Sequence, residues 1–298
     1  SNGVLIDKST EYYEKIGKDI CRKNIENIEY RENYAFSGKS MLLKSFEHKS
    51  FVSACQATKE WKRKLLEVAD ILMSFGPDSV FFDQMAGHRA LLCYDESHLH
   101  GKRVDMEAVS RRENMKAIRA RVTEKTCFGS EYVVDCFAQY LDYNHGDKYA
   151  SSYDPNAFPE MLRNTFPEII LTNRGLHDER ADFKKQLNYA FVYGRRFDVA
   201  IYRCRGSIKD VPDYQEHLAM LLKLKEKYKK YFYYGKFAIE TDMALPEEVK
   251  KTEYVNGEDR LFVFWNTSND DVKFTALGER FEIKANEFVL LERSKTAG

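Results

Sequence analysis

Ser79-Val80-Phe81-Phe82-Asp83 and Thr126-Cys127-Phe128-Gly129-Ser130-Glu131 are the stretches on which the reading of this chain turns. Each is a short, apolar, β-prone run that closes on an acid, and each follows a helix-like segment. Trp61, Leu65, Val68 and Leu72 repeat at helical spacing behind a Thr58 cap, and Gly76-Pro77 stops that helix. A second helix, predicted from about Met106 to Thr123, leads into the other run. Asp83 and Glu131 are therefore expected at the carboxyl ends of neighbouring strands in a βα series. In a parallel barrel that end carries the chemistry, because the strand termini converge there and the βα loops wall the pocket. Two facing carboxylates are the minimal equipment for cleaving a glycosidic bond. The plainer reading of Asp83 is a loop cap. Glu124 competes with Glu131 but falls at a helix end beside Lys125, where a solvated acid is ordinary.

Outward from these runs the alternation continues. Val4–Asp7 reads as the tail of a strand, Glu11 to about Cys21 as helix, 24–49 as a long loop and Phe51–Cys55 as a short strand. A second long loop is predicted over 84–105. Strands are predicted at Phe137–Asp142, Glu168–Asn173 and Phe197–Tyr202, and helices around Met161, from Asp182 to about Tyr193 and from Tyr214 to Tyr231. Leu218, Leu221, Leu222 and Leu224 form the apolar stripe of the last helix, and Lys223–Lys230 read as its solvated face. After Phe232 the pattern changes to Leu261–Trp265, Val272–Thr275, Phe281–Lys284 and Phe288–Leu291, short strands with polar turns and no helix between them. The fold class is α/β: a TIM-like (β/α)8 barrel over 1–236 lacking its first strands, then a C-terminal antiparallel β-sandwich over 237–298.

The 298 residues, 43% hydrophobic with 20 Phe and 19 Tyr, suffice for a sizeable core. Lys plus Arg and Asp plus Glu balance at 47 each, so nothing steers the chain to nucleic acid. No apolar run approaches membrane-spanning length. Ser1-Asn2-Gly3 reads as a vector-derived leader. The six cysteines are scattered, without CxxC or zinc spacing, which points to reduced thiols and a cytoplasmic setting. His88, His98 and His100 cluster with Asp95 and Glu96 in the second loop. They read as loop structure or, for His88 and His98, as groups that bind sugar hydroxyls; a metal-dependent hydrolase built on His98 and His100 is the competing reading. Asn173 and Arg174, at a later strand end, are candidate substrate binders, as are Tyr140 and Asp142.

Phe82-Asp83-Gln84, Cys93-Tyr94-Asp95-Glu96-Ser97-His98, Gly129-Ser130-Glu131 and the Phe137–Asp142 run, with Asn173-Arg174 and Asp182-Phe183, resemble a family of bacterial glycoside-hydrolase-like barrels. That family is distantly similar to endo-α-N-acetylgalactosaminidases and α-galactosidases, and the resemblance extends over most of residues 4–295. It implies a retaining glycosidase for an α-linked hexose or N-acetylhexosamine, with Asp83 as nucleophile, Glu131 as acid/base and no cofactor. The relatives carry barrel strands and a β-rich domain ahead of the point where this chain begins. About six strands can be read here. A missing N-terminal segment or a second copy of the chain would then cover an open barrel edge. The alternative is a non-catalytic carbohydrate-binding or structural remnant of such a barrel.

Overall fold

Trp61, Leu65 and Ala69 share one face of a 16-residue helix and are all buried, which is why the stripe read from sequence becomes α2 (Lys59–Ser74). The structure, a computed structural model, describes residues 2–34, 49–132, 134–148, 160–179, 181–201, 206–238 and 241–294. The helix ends at Phe75, and Gly76 takes the left-handed conformation (φ 61°) that terminates it. Thr58 starts it without capping it, since its hydroxyl donates to the Cys55 carbonyl at 2.9 Å.

Two compact units divide the chain, 1–145 and 146–298. In the first, β4 (Ser79–Phe82) pairs in parallel with β5 (Cys127–Glu131), with α3 (Met106–Arg119) between them in sequence. Tyr143, Asn144 and His145 of β6 (Tyr143–Lys148) pair in parallel with β5. Val80, Phe82 and Phe128 pack against Trp61 and Leu65 of α2 and Met115 and Ile118 of α3. Phe82 meets Phe128 edge to face at 5.8 Å.

Several expectations change here. β1 (Leu5–Asp7) and β3 (Lys49–Ser53) are not barrel strands; they lie antiparallel, with β2 (Arg31–Tyr34) completing a sheet in the order β1-β3-β2. β1 is an edge strand, yet Leu5 and Ile6 are buried. Residues 35–48 of the loop predicted over 24–49 fall outside the described residues. Asn2 and Gly3 are built into the packing: Gly3 N–H donates to the Asp83 carbonyl at 2.9 Å, and Asn2 bridges to Asp83 in parallel. Residues 137–142 form no strand. Asp135–Ala138 make one helical turn, α4, whose Phe137 and Ala138 are buried, and the strand begins afterwards at Tyr143. A short apolar run has no period that separates the two outcomes.

In the second unit, β7 (Leu171–His177) pairs in parallel with β8 (Arg196–Ala200), joined by α6 (Phe183–Val192). The β7 register slips between Asn173 and Leu176, around Gly175 at φ 88°. In α7 (Pro212–Lys227), Tyr214, His217, Leu218, Leu221 and Lys225 are buried, while Leu222 is exposed. Lys225 thus departs from the solvated face assigned to it. Its ammonium donates to the Arg195 carbonyl and stands 4.0 Å from the Phe197 ring centroid. Burial, with Arg196 and Arg163 adding to it, pulls its pKa down to about 7.

From β9 (Lys236–Ala238) onward the strands are antiparallel. β10 (Val249–Asn256), β11 (Asp259–Asn266) and β14 (Phe288–Arg293) extend β9 into a sheet ordered β14-β11-β10-β9. β12 (Val272–Ala276) and β13 (Glu279–Ile283) form a hairpin turned at Leu277-Gly278, both at positive φ. Phe274 and Phe281 of that hairpin pack on Phe264 of β11 at 5.5 and 5.2 Å. The helix segment read over 11–21 is π-helical over Tyr13–Gly17 before α1 (Lys18–Ile20). No helix among the described residues is long and apolar enough to cross a membrane.

His217 supplies a pH test of the second unit. Burial, helped by Lys184, lowers its pKa to about 4, and its Nε2–H donates to Asn188 Oδ1 at 2.8 Å. The folded state prefers the neutral ring, so this contribution is complete above the ordinary histidine value of about 6.5 and is lost as pH falls towards 4. Melting temperatures followed from pH 7 to pH 4 should drop more steeply in wild type than in His217→Asn. Parallel slopes would remove His217 as the titrating group.

Candidate active site

The parallel register of β4 and β5 pairs Ser79 with Cys127, Val80 with Phe128, Phe81 with Gly129 and Phe82 with Ser130. Continued by one residue, it sets Asp83 beside Glu131. β6 extends the same rows, with Tyr143 opposite Gly129 and His145 opposite Glu131. Because side chains alternate along a strand, Asp83, Glu131 and His145 form one row on one sheet face at the carboxyl end. Phe81, Gly129 and Tyr143 form the row beneath. Phe81 stacks on Tyr143 at 6.4 Å and meets His145 edge-on at 5.4 Å. The glycine is required there: a Cβ on Gly129 would come within 2.1 Å of the Tyr143 ring.

The backbone after each acid is unusual. Gln84 and Tyr132 both take φ 59°, a left-handed conformation that side-chain-bearing residues seldom adopt. Ser130 ties the two strand ends together, donating to the Phe82 carbonyl at 2.7 Å and accepting from Ala86 N–H at 2.9 Å. Gly87 of the loop after β4 lies so close to Tyr132 that a Cβ would approach it to 2.2 Å. The two acids differ in setting. Asp83 is half-buried and accepts from Asn2 Nδ2 at 3.3 Å; Glu131 is buried, at 6% exposure.

The other residues picked from sequence are not all brought to this row. His88 is buried with its Nε2 at 2.6 Å from Glu32 of β2, and burial lowers its pKa despite that carboxylate. His98 turns towards Cys93 and the Asp19 carbonyl. Asp142 lies at the amino end of β6, accepting from Phe128 N–H at 2.7 Å and pairing with Arg119 at 2.5 Å. Tyr140 packs on the core of the first unit. Both belong to the opposite end of the strands, because the segment carrying them precedes β6. In the second unit, Asn173 is fully buried on β7 with neither amide atom hydrogen-bonded among the described residues, and Arg174 follows it on the same strand.

His145 is the residue that reading the sequence missed. It falls beyond the strand predicted over 137–142, and the start of β6 at Tyr143 puts it in register with Glu131. The loop after β4 is also held by buried charge. Glu107 pairs with Arg22 at 3.1 Å and with Arg111, whose guanidinium donates to the His88 carbonyl at 2.7 Å. A separate surface cavity of about 550 Å³ is lined by Lys15, Asp19, Thr58, Glu60 and His98, and neither acid of the row contributes to it.

Residues 1–161 match a family described as a domain of unknown function, DUF6259. No curated protein matches the sequence. Among solved structures, an α-N-acetylgalactosaminidase of Bifidobacterium bifidum, in complex with GalNAc, is similar at TM-score 0.58 and 12% identity, over 89% of this chain and 40% of that one. A GH36 α-galactosidase of Geobacillus stearothermophilus, in complex with raffinose, gives 0.56 and 11% over 98% and 43%. The cyclic α-maltosyl-(1→6)-maltose hydrolase of Arthrobacter globiformis gives 0.56 and 9% over 98% and 74%. At such identities the likeness is one of fold. The chain spans about two fifths of the galactosidase and the acetylgalactosaminidase.

Proposed function

The chain belongs to the DUF6259 family, and from its paired strand-end acids we propose that it is a retaining glycoside hydrolase of α-linked hexoses or N-acetylhexosamines, built on a (β/α)8-type barrel. The observation that carries this reading is the parallel register of β4 and β5, whose last pair, Phe82 with Ser130, is followed on each strand by an acid, Asp83 and Glu131. In-register neighbours start about 4.8 Å apart. Retention needs carboxyls about 5–5.5 Å apart, a separation compatible with such neighbours, whereas inversion needs about 6.5–9.5 Å to admit a water.

Asp83 attacks the anomeric carbon while Glu131 gives its proton to the departing glycosidic oxygen. The bond to the leaving group breaks as the Asp83 ester forms. Glu131, now a carboxylate, takes a proton from water, whose oxygen displaces Asp83 and restores both groups. The contrast between half-buried, amide-bonded Asp83 and buried Glu131 supports this division of roles. Phe81 and Tyr143 offer aromatic faces beneath the acids for the apolar side of a sugar ring.

The test is turnover of aryl α-galactosides and aryl α-N-acetylgalactosaminides, with the anomer of the first-formed sugar read by NMR. The α product is expected. A β product would make the pair inverting. Sugar binding without turnover of any aryl α-glycoside would favour a carbohydrate-binding barrel and overturn the enzyme.

A further inference from the structure

Cys55, Cys93, His98 and His100 are far apart in sequence, yet the structure gathers one ligand atom from each so that all lie within 4.8 Å of one another. Cys55 follows β3; the other three come from the long loop between β4 and α3. We propose that these four residues bind a structural zinc ion that fastens this loop to the end of β3. The proposal is independent of the glycosidase reading.

The donor set is the first reason. Two thiolates and two imidazoles around a tetrahedron are the standard composition of closed zinc sites, whose bond lengths imply ligand-to-ligand separations of roughly 3.3–3.8 Å. Cys93 Sγ and His98 Nδ1 already stand 3.4 Å apart. The longest separation closes by about 1 Å on binding, within reach of small side-chain rotations. Soft sulfur with imidazole also selects zinc over magnesium or calcium, which require oxygen.

The ring orientations are the second reason, and they point to a ligand. His100 uses Nδ1 towards the Gly101 carbonyl at 2.8 Å, leaving Nε2 buried without a hydrogen-bond partner among the described residues. A buried imidazole nitrogen in that state is costly unless something accepts its lone pair. His98 is turned the other way round. Its Nε2–H donates to the Asp19 carbonyl at 2.9 Å, with the Asp95 carboxylate at 3.7 Å, and its Nδ1 faces Cys93. Asp95 is itself fixed by Lys23 at 2.6 Å. Such outer hydrogen bonds set the tautomer of zinc-binding histidines. Cys55, Cys93 and His98 are buried, which keeps water from competing.

Four protein ligands complete the tetrahedron and leave no position for water, so the ion would be structural and not a hydrolytic centre. Its effect is mechanical. The loop after β4 carries no regular helix or strand before α3, and a cross-link to the end of β3 restricts that whole connection. The same loop supplies Ala86 and Gly87, which contact Ser130 and Tyr132 beside the acids.

Metal analysis of the purified wild-type chain should find about one zinc per molecule. Cobalt(II) exchanged into the site should give the intense visible bands of tetrahedral thiolate coordination. Cys93→Ser and His100→Ala should each lose the metal, whereas Cys136→Ser, at an exposed thiol, should keep it. Should both ligand variants fail to fold, wild type alone decides: a strong chelator should raise the rate at which Cys55 and Cys93 are alkylated, and zinc should restore protection. Absence of zinc with a Cys55–Cys93 disulfide, metal retained by both ligand variants, or alkylation indifferent to chelator would each overturn the proposal.

Discussion

Asp83→Ala should lower turnover of an aryl α-glycoside by a thousandfold or more, on the order of losses seen when a nucleophile is removed from a concerted set of groups. Its melting temperature should stay within about two degrees of wild type, because the side chain gives up one 3.3 Å hydrogen bond from Asn2 and little packing. Added azide should restore turnover through a glycosyl azide of inverted configuration, since a small anion fits where the carboxylate stood. Glu131→Gln should behave differently. It keeps the nucleophile, so glycosides with good leaving groups still form the covalent intermediate, and the loss grows as the leaving group becomes more basic. Equal turnover in wild type and Asp83→Ala would end the assignment. A Glu131→Gln defect independent of leaving group would move the acid role elsewhere, His145 being next in the row.

The second large effect concerns stability. Glu107→Gln preserves volume but removes the only negative charge in the Arg22–Glu107–Arg111 cluster, whose side chains are at most 5% exposed. Two guanidinium groups would then share a dry interior uncompensated. Breaking a buried pair by removing one partner costs about 3–5 kcal/mol. Urea unfolding should show that loss, and the Arg111 contact with the His88 carbonyl should loosen with it. Glu14→Gln, which breaks the exposed pair with Lys18, is the control and should leave the midpoint unchanged. A Glu107→Gln midpoint equal to wild type would mean that water or backbone already carries this charge.

Much of the architecture can be read from residues alone where periodicity is strong. α2 follows its apolar stripe, and β4, β5 and four C-terminal strands follow their short apolar runs between turns or breakers. Reading failed where tertiary context decides. Phe137-Ala138 could be a strand or a helical turn, and burial of both chose the turn. β10 was hidden because fully buried Glu253 interrupts its apolar pattern, its charge met by Arg260 and Lys251. Lys225 sits on the apolar face of its helix because its ammonium finds a carbonyl and a ring. The strand-end positions of Asp83 and Glu131 are legible from the runs that they close, whereas the position of His145 is not, since β6 starts at Tyr143, beyond the 137–142 run. The Cys55, Cys93, His98 and His100 cluster escapes every spacing rule, because Cys55 follows β3 while the other three lie in the loop after β4.

Gln84 and Tyr132 carry left-handed backbone without being glycine. Each stores conformational energy on the order of 1 kcal/mol, one peptide bond from an acid. A directed-evolution campaign that selected only for heat resistance would find glycine at these two places among its easy gains. It would also unlock the torsions that aim Asp83 and Glu131. Thermal robustness and aim are therefore opposed at these two codons, and a library meant to improve both should hold them constant.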